Sequence, residues 1–256
     1  MYTLDPDTYS HIAESLPIDA INQLRVTDST NSHQLSTLRN TDNYWKLRLQ
    51  KFLDIQITRI PTPKTWHQVY TKITAGDLNL FQKLIKFIQT GDFQIVQLLL
   101  DAGADVTAQD NVALRTASSN GHLQIVQLLL DAGADVTADD NAALLEASTN
   151  GHSQIVQVLL TAGADLTAKD NGALRAASTN GHLQVVMLLL RSGADVTANH
   201  NEALSNACGN GYFPLAQLLL NAGADPSDND NAALRKAFNN EHFEIVELLY
   251  NSGVTL

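Results

Sequence analysis

The sequence predicts an all-α solenoid, a row of stacked helix pairs preceded by a small helical domain. Glycines recur every 30 residues from Gly91 to Gly211, and an asparagine precedes each of the later ones. No insertion breaks this register between residues 91 and 251. A fixed period of about 20–50 residues is typical of repeat proteins, in which each unit buries its apolar surface against its neighbours.

Each 30-residue unit contains two predicted helices. In residues 121–132 the polar side chains recur at i, i+3 and i+7, so they form one solvent face on a helix that is otherwise apolar. Gly133 follows as the left-handed residue expected to end this helix. Asp140 and Asn141 then offer side-chain oxygens, which we expect to cap the start of the other helix of the pair.

The unit resembles the ankyrin repeat in its N-G-H-L-x-I-V-x-L-L-L-x-A-G-A-D-V and A-L-x-x-A stretches. The family's usual unit has about 33 residues and a T-P-L-H start, whereas this unit has 30 and reads V-A-L-R at 112–115. The resemblance implies six helix pairs with short hairpin loops. Because the usual Thr and His are absent, we expect Asp110, Asn111 and their equivalents to tie the units together. Units of this type look like those of large DNA viruses and intracellular-bacterial effectors.

The repeat pattern also divides the chain. An F-box-like helical domain is expected over residues 1–75 and the ankyrin repeats over 76–256. The expected repeats are 76–110, an atypical first unit, then 111–140, 141–170, 171–200, 201–230 and the capping unit 231–256.

Variation between the units predicts a binding face. Positions 112, 115, 116 and 119 of one unit and their equivalents differ between units, and their spacing places them on one side of a helix. We call these positions, with loop position 109 and its equivalents, the variable stripe. In the ankyrin family this stripe lines the concave binding surface, with Arg115, Arg175 and Arg235 as charged anchors here. The alternative is an unconstrained solvent face.

The candidate target-binding residues are the variable ones: Gln109, Val112, Arg115, Thr116, Asp139, Leu145, Glu146, Lys169, Arg175, Asn199, Glu202, Asn206, Asn229, Arg235 and Lys236.

Residues 1–75 resemble an F-box. The pattern begins at Leu4-Asp5-Pro6-Asp7, includes Leu16-Pro17 and closes at Trp45. The resemblance implies that this segment docks on the Skp-family adaptor of a cullin–RING ubiquitin ligase. The implied contact set is apolar: Leu4, Pro6, Ile12, Leu16, Pro17, Ile21, Leu24 and Val26. The alternative is that residues 1–75 form only a helical cap on the first repeat. The whole chain would then be an ankyrin scaffold or inhibitor that binds a partner protein.

Composition narrows the function classes. The 256 residues are 44% hydrophobic and 17% charged, with a formal net charge of −11. The hydrophobic fraction excludes a mainly disordered chain. The negative net charge argues against a general binder of nucleic acid or anionic membranes, because proteins bind these partners through clustered Lys and Arg. A single cysteine and an N-terminus unlike a secretory signal favour the cytoplasm, or the host cytoplasm for an effector. We expect a monomer when no partner is bound.

No chemical site is expected. The repeated histidines at 122, 152 and 182 lie one layer apart, about 8–10 Å, whereas zinc requires ligands about 2 Å from one ion. We expect each ring to bond the backbone of a neighbouring loop instead. Cys208 fills a slot that holds serine in other units, which indicates a small core residue. The sequence therefore predicts a non-enzymatic interaction adaptor without cofactor or metal.

Overall fold

The computed structural model describes residue 73 and residues 78–254. The chain divides into two compact units. Met1–Leu84 and Gln94–Ala104 form one, and Ile85–Phe93 and Asp105–Leu256 form the other. The described residues of the first unit include buried Ile73, Leu84 and Ile95. The second unit contains most of the repeats and is described in detail below.

The described residues form twelve helices and no strands, which confirms the predicted all-α class. The helices are α1 (Leu80–Gln89), α2 (Phe93–Asp101), α3 (Ala108–Ser119), α4 (Leu123–Asp131), α5 (Ala138–Thr149), α6 (Ser153–Thr161), α7 (Ala168–Thr179), α8 (Leu183–Arg191), α9 (Ala198–Gly209), α10 (Phe213–Asn221), α11 (Asp228–Asn239) and α12 (Phe243–Asn251).

The second unit is built from two layers of helices. The long helices α3, α5, α7, α9 and α11 pack on one another in chain order, and the short helices that follow them form a parallel layer. Between the layers lie the residues that recur unchanged in every unit. Leu114 and Leu144 are 1% exposed and Leu204 is fully buried, so packing explains why these positions do not vary.

The short helices have the predicted polarity. In α4, Ile125, Val126 and Leu129 are buried, while the glutamines and the aspartate of the solvent face are exposed. Gly133 has a φ of 91°, so it ends the helix in the left-handed region as predicted. The backbone N–H of Ala134 donates to the Leu129 carbonyl at 3.0 Å, which completes the helix terminus.

The start of each long helix differs from the prediction. Three successive residues, such as Asp139, Asp140 and Asn141, have φ between 50° and 60° and ψ between 34° and 56° in all five long helices. These values define a left-handed helical turn, so the right-handed part of α5 begins only at Ala142. The prediction that Asp140 and Asn141 cap this helix was wrong, because their backbone is itself left-handed and the Asn141 Oδ1 accepts the backbone N–H of Asp165 instead.

The last residue of each left-handed turn bonds the loop that leads into the next long helix. Asn111 is 7% exposed, and its Oδ1 accepts the backbone N–H of Asp135, 24 residues later, at 2.8 Å. The same bond recurs from Asp165 to Asn141 at 2.7 Å. Each bond lies inside the predicted bounds of one repeat but holds the loop between two helix pairs. The asparagine therefore ties successive helix pairs together as expected, whereas Asp110 is exposed.

The histidine rings form a second connection. The Nε2 of His152 lies 3.1 Å from the Ser119 carbonyl oxygen of the preceding repeat, and that of His182 lies 2.9 Å from Thr149 O. A Cβ added to Gly121 would lie 2.7 Å from the His152 ring, and Gly121 also has a φ of 78°. The repeated Gly-His pair thus serves packing between repeats, and the expected structural role of the rings is confirmed.

Candidate functional site

The variable stripe is only partly exposed. The equivalents of position 112 are buried where they are Ala142, Gly172 or Ala232. At the equivalent of position 115, Ser205 is only 5% exposed. The loop positions, from Gln109 to Asn229, are all exposed. The surface open to a partner therefore consists mainly of the left-handed turns and the outer halves of the longer side chains.

Two of the three predicted arginine anchors are paired within the chain. Nη1 of Arg115 lies 2.8 Å from Oδ2 of Asp139, and Arg175 donates to Glu202. Burial, the largest influence on Glu202, raises its pKa, but hydrogen bonds from Arg175 and Asn199 and the arginine charge outweigh it and lower the pKa. These arginines join successive long helices as well as facing outward.

Arg235, the third anchor, binds its own left-handed turn. Its guanidinium donates to the Asp230 carbonyl and, at 3.1 Å, to that of Asn229. Arg175 makes the equivalent bond to the Lys169 carbonyl at 3.0 Å. An arginine at this position thus stabilises a turn whose left-handed backbone is costly for residues other than glycine.

Other stripe residues form a polar ladder between long helices. Ser119 donates to Glu146 across α3 and α5 at 3.1 Å. Asn206 donates to Thr179 Oγ1 across α7 and α9 at 2.8 Å, and Lys236 donates to Asn206 Oδ1 across α9 and α11 at 3.0 Å. Ser119 and Thr179 were not among the predicted site residues, although each lies 27 positions before its polar partner.

The junction between α5 and α7 differs from the other three. Here the stripe holds Leu145, Gly172 and Ala176, and in the described residues no stripe side chain donates a hydrogen bond across this junction. The Thr149 hydroxyl donates within its own helix to the Leu145 carbonyl at 2.8 Å. Asn180 bonds only the Ala176 carbonyl of its own helix, at 2.9 Å. The stripe therefore lacks the polar ladder at this junction.

The loop aspartates have a structural role. Asp135 Oδ1 accepts the N–H and the hydroxyl of Thr137, both at 2.8 Å. The hydroxyl bond, followed by the backbone bond, lowers the pKa of Asp135, and Asp165 is affected in the same way. These carboxylates hold the loop between the two helix layers.

Cys208 is a core residue. It is fully buried, and burial raises the pKa of its thiol to about 12. The equivalent residues Ser118, Ser148 and Ser178 are also fully buried, and their hydroxyls have no hydrogen-bond partner in the described structure. A protonated, buried thiol is a poor nucleophile, because the reactive species is the thiolate.

No constellation for metal chemistry occurs in residues 78–254: no group of three or more His, Cys, Asp and Glu side chains could hold a metal ion. In the same range, every helix is too short or too polar to cross a membrane. The eight residues predicted to bind a ligase adaptor, from Leu4 to Val26, lie outside the described residues. The domain boundary at residue 75 also lies there and stays a prediction.

The geometry defines a helix-pair repeat protein with a half-exposed variable face. A family model described as "Ankyrin repeats (3 copies)" matches the chain twice, over residues 84–170 and 173–256. Together these matches cover more than half of the sequence, so the chain belongs to the ankyrin-repeat family. No curated protein matches the chain. The repeats indicate a scaffold for protein–protein interaction, which is the coarser part of the predicted function.

Proposed function

We propose that this chain is a non-enzymatic adaptor that holds a target protein on the variable stripe of its ankyrin repeats. The observation that supports this most is the contrast within each long helix. Inward positions such as Ala113 and Leu114 are buried and identical in the five repeats from residue 111 onward, while the outward positions differ between repeats. A surface that varies on a constant framework is suited to recognising one partner.

The N-terminal part of the proposal rests on the F-box resemblance of residues 1–75. We assign this segment the recruitment of the Skp-family adaptor of a cullin–RING ubiquitin ligase, so that the target is presented for ubiquitin transfer. The cytoplasm, or a host cytoplasm for a viral or bacterial effector, is the compartment that this activity requires.

A binding experiment tests the recruitment. The whole purified chain is mixed with recombinant Skp-family adaptor, and complex formation is measured by size-exclusion chromatography. The wild type is expected to form a complex, and the Leu16→Asp/Ile21→Asp variant is expected to lose it because charge replaces apolar contacts. A folded wild-type chain that forms no complex contradicts the recruitment and favours a scaffold or inhibitor whose residues 1–75 only cap the repeats.

The target-binding part is tested separately. Tagged whole chain is used to capture proteins from candidate cells, alongside a variant in which Lys169 and Lys236 are changed to glutamate. Both lysines are exposed, so the helices are expected to keep their circular dichroism. A captured partner that binds the wild type and the variant equally well would contradict the assignment of this face.

A further inference from the structure

We infer that the α5/α7 junction is an anchor for a short basic segment of a partner, with one aliphatic side chain packed against Leu145 beside Gly172. This inference rests on the proposed function and assigns the chemistry of the partner. The residues around the contact point line a shallow depression that is open to solvent. It is far smaller than a small-molecule site, so the side chain packs on its surface. We call this space the Leu145 notch.

Two departures from the repeat pattern form the notch. Leu145 occupies the position that is arginine in three other repeats. No guanidinium therefore covers the left-handed turn of the same helix, residues 139–141. Gly172 stands where the other repeats have Val112, Ala142, Glu202 or Ala232. A Cβ at Gly172 would lie 3.2 Å from the Lys169 Cβ and 3.7 Å from Leu145 Cδ1, so the missing methyl group leaves a space no wider than that group.

The floor of the notch and one of its sides are apolar. Leu144 and Ala173 are buried beneath it, and Leu166 and Ala168 are half-buried at its side. The polar ladder of the other junctions is absent here, so an entering aliphatic group breaks no hydrogen bond between stripe side chains. Burial of such a group is favourable in proportion to the apolar area removed from water.

Charge complementarity specifies a basic segment. Asp140 and Asp165 line the notch and are exposed, and exposed Asp170 follows Lys169 in the turn. Lys169 is the single cation in the lining. Arg175, the nearest arginine in sequence, is paired with Glu202. Residues 91–256 hold 6 Lys or Arg and 19 Asp or Glu, so the field around the notch also attracts cations.

A peptide selection tests this inference. A phage library of random peptides is panned on the immobilised whole chain, and one enriched peptide is synthesised and titrated by fluorescence anisotropy. We expect enriched sequences to place Leu, Ile, Val or Met next to Lys or Arg. We also expect their affinity to fall as salt is raised, because exposed charges are screened.

Two variants close the notch, and one matched variant leaves it open. Gly172→Ala inserts the missing methyl group, and Leu145→Arg restores the residue of other repeats. Each is expected to lower affinity by about tenfold or more. Gly209→Ala is the control, since its Cβ would meet Lys236 at the same 3.2 Å but at the α9/α11 junction. Because alanine is the better helix former, neither glycine variant is expected to melt earlier.

Several outcomes overturn the inference. Enriched peptides that lack a basic residue, or that bind Leu145→Arg as tightly as wild type, exclude the notch as their anchor. Peptides whose affinity falls on substitution of Lys236, and not of Leu145, also exclude the notch as their anchor. They leave the proposed target-binding face in place. If no peptide is enriched, the notch does not anchor a short segment, while the capture experiment still decides the proposed function independently.

Discussion

At the scale of single residues, one buried slot distinguishes otherwise similar repeats. Ser118, Ser148 and Ser178 each place a hydroxyl in the core without a hydrogen-bond partner, whereas Cys208 places a thiol in the same slot. A buried hydroxyl without a partner costs about 1–3 kcal/mol, while cysteine behaves as a small apolar residue. Each of these serines is therefore expected to lower the free energy of unfolding relative to an apolar residue in the same slot.

This slot gives the first prediction. Ser148→Ala is expected to raise the free energy of unfolding by about 1 kcal/mol, because it removes a polar group that has no partner. The converse change, Cys208→Ser, is expected to lower it by about 1–3 kcal/mol. Urea unfolding with an unchanged slope measures both effects. A destabilising Ser148→Ala together with a neutral Cys208→Ser would show that the hydroxyls do find partners.

At the scale of structural elements, the left-handed turn is the feature that the sequence did not predict. The turn needs three successive residues in a conformation that is ordinarily adopted by one residue at a time. Asparagine, aspartate and histidine are enriched in the left-handed region, but Gln109 and Lys169 carry no such preference. Hydrogen bonds compensate for them: the asparagine bond to the loop before the next long helix and the arginine bond to the turn carbonyl.

Asn141 therefore has two separable roles, one in backbone conformation and one in its side-chain bond. Asn141→Gly keeps the left-handed backbone and loses the bond to Asp165 N, so a cost of about 1 kcal/mol is expected. Asn141→Ala also forces a Cβ into the left-handed region, and an additional cost of about 1–2 kcal/mol is expected. Chemical denaturation measures the two variants side by side. Equal costs would contradict the division into a conformational and a bonding part.

The Asp-x-Thr loops predict an acid dependence. The folded-state pKa of Asp135 and its equivalents is lowered by the threonine bonds. Their contribution to stability is therefore present above the unfolded pKa of about 3.9 and is lost as the pH falls through the lower folded value. Thermal unfolding is expected to vary little between pH 5 and 7 and to weaken below pH 4.

The control for this prediction removes the hydroxyl. Thr137→Val leaves the backbone bond to Asp135 in place and removes the side-chain bond, so a shallower loss of stability below pH 4 is expected. Valine keeps the branched shape of threonine, and the site is exposed. A Thr137→Val variant whose melting temperature falls with pH as steeply as that of wild type would show that the hydroxyl bond does not lower the pKa.

At the scale of the whole molecule, periodicity predicted the fold. The alternation of constant Ala and Leu with variable positions located both the core and the outward face, and the Gly-His pairs located contacts between repeats. Which outward residues bind one another was not predicted, because pairs such as Ser119–Glu146 join separate repeats. Their partners become visible only when neighbouring long helices lie side by side.

The same ladder changes the interpretation of the arginine anchors. Reversing the charge of Arg115 or Arg175 would remove an ion pair to the next long helix as well as a contact with the partner. Such pairs on a partly exposed surface contribute about 0–1 kcal/mol, so a loss of binding by these variants is ambiguous. Substitutions at the Leu145 notch are free of this difficulty, because no ladder bond is broken there.

The proposal for the whole molecule is that a partner protein binds the variable stripe at the Leu145 notch. The most direct measurement is the affinity of a captured and purified partner for the whole chain, for Leu145→Arg and for Gln154→Arg, determined by titration calorimetry. Gln154 is exposed on α6, outside the stripe, so this control adds the same charge away from the proposed site. A loss of about tenfold or more for Leu145→Arg, with Gln154→Arg close to wild type, is predicted. Equal affinity for all three chains, each shown to be folded, would contradict the assignment of the partner to this part of the stripe.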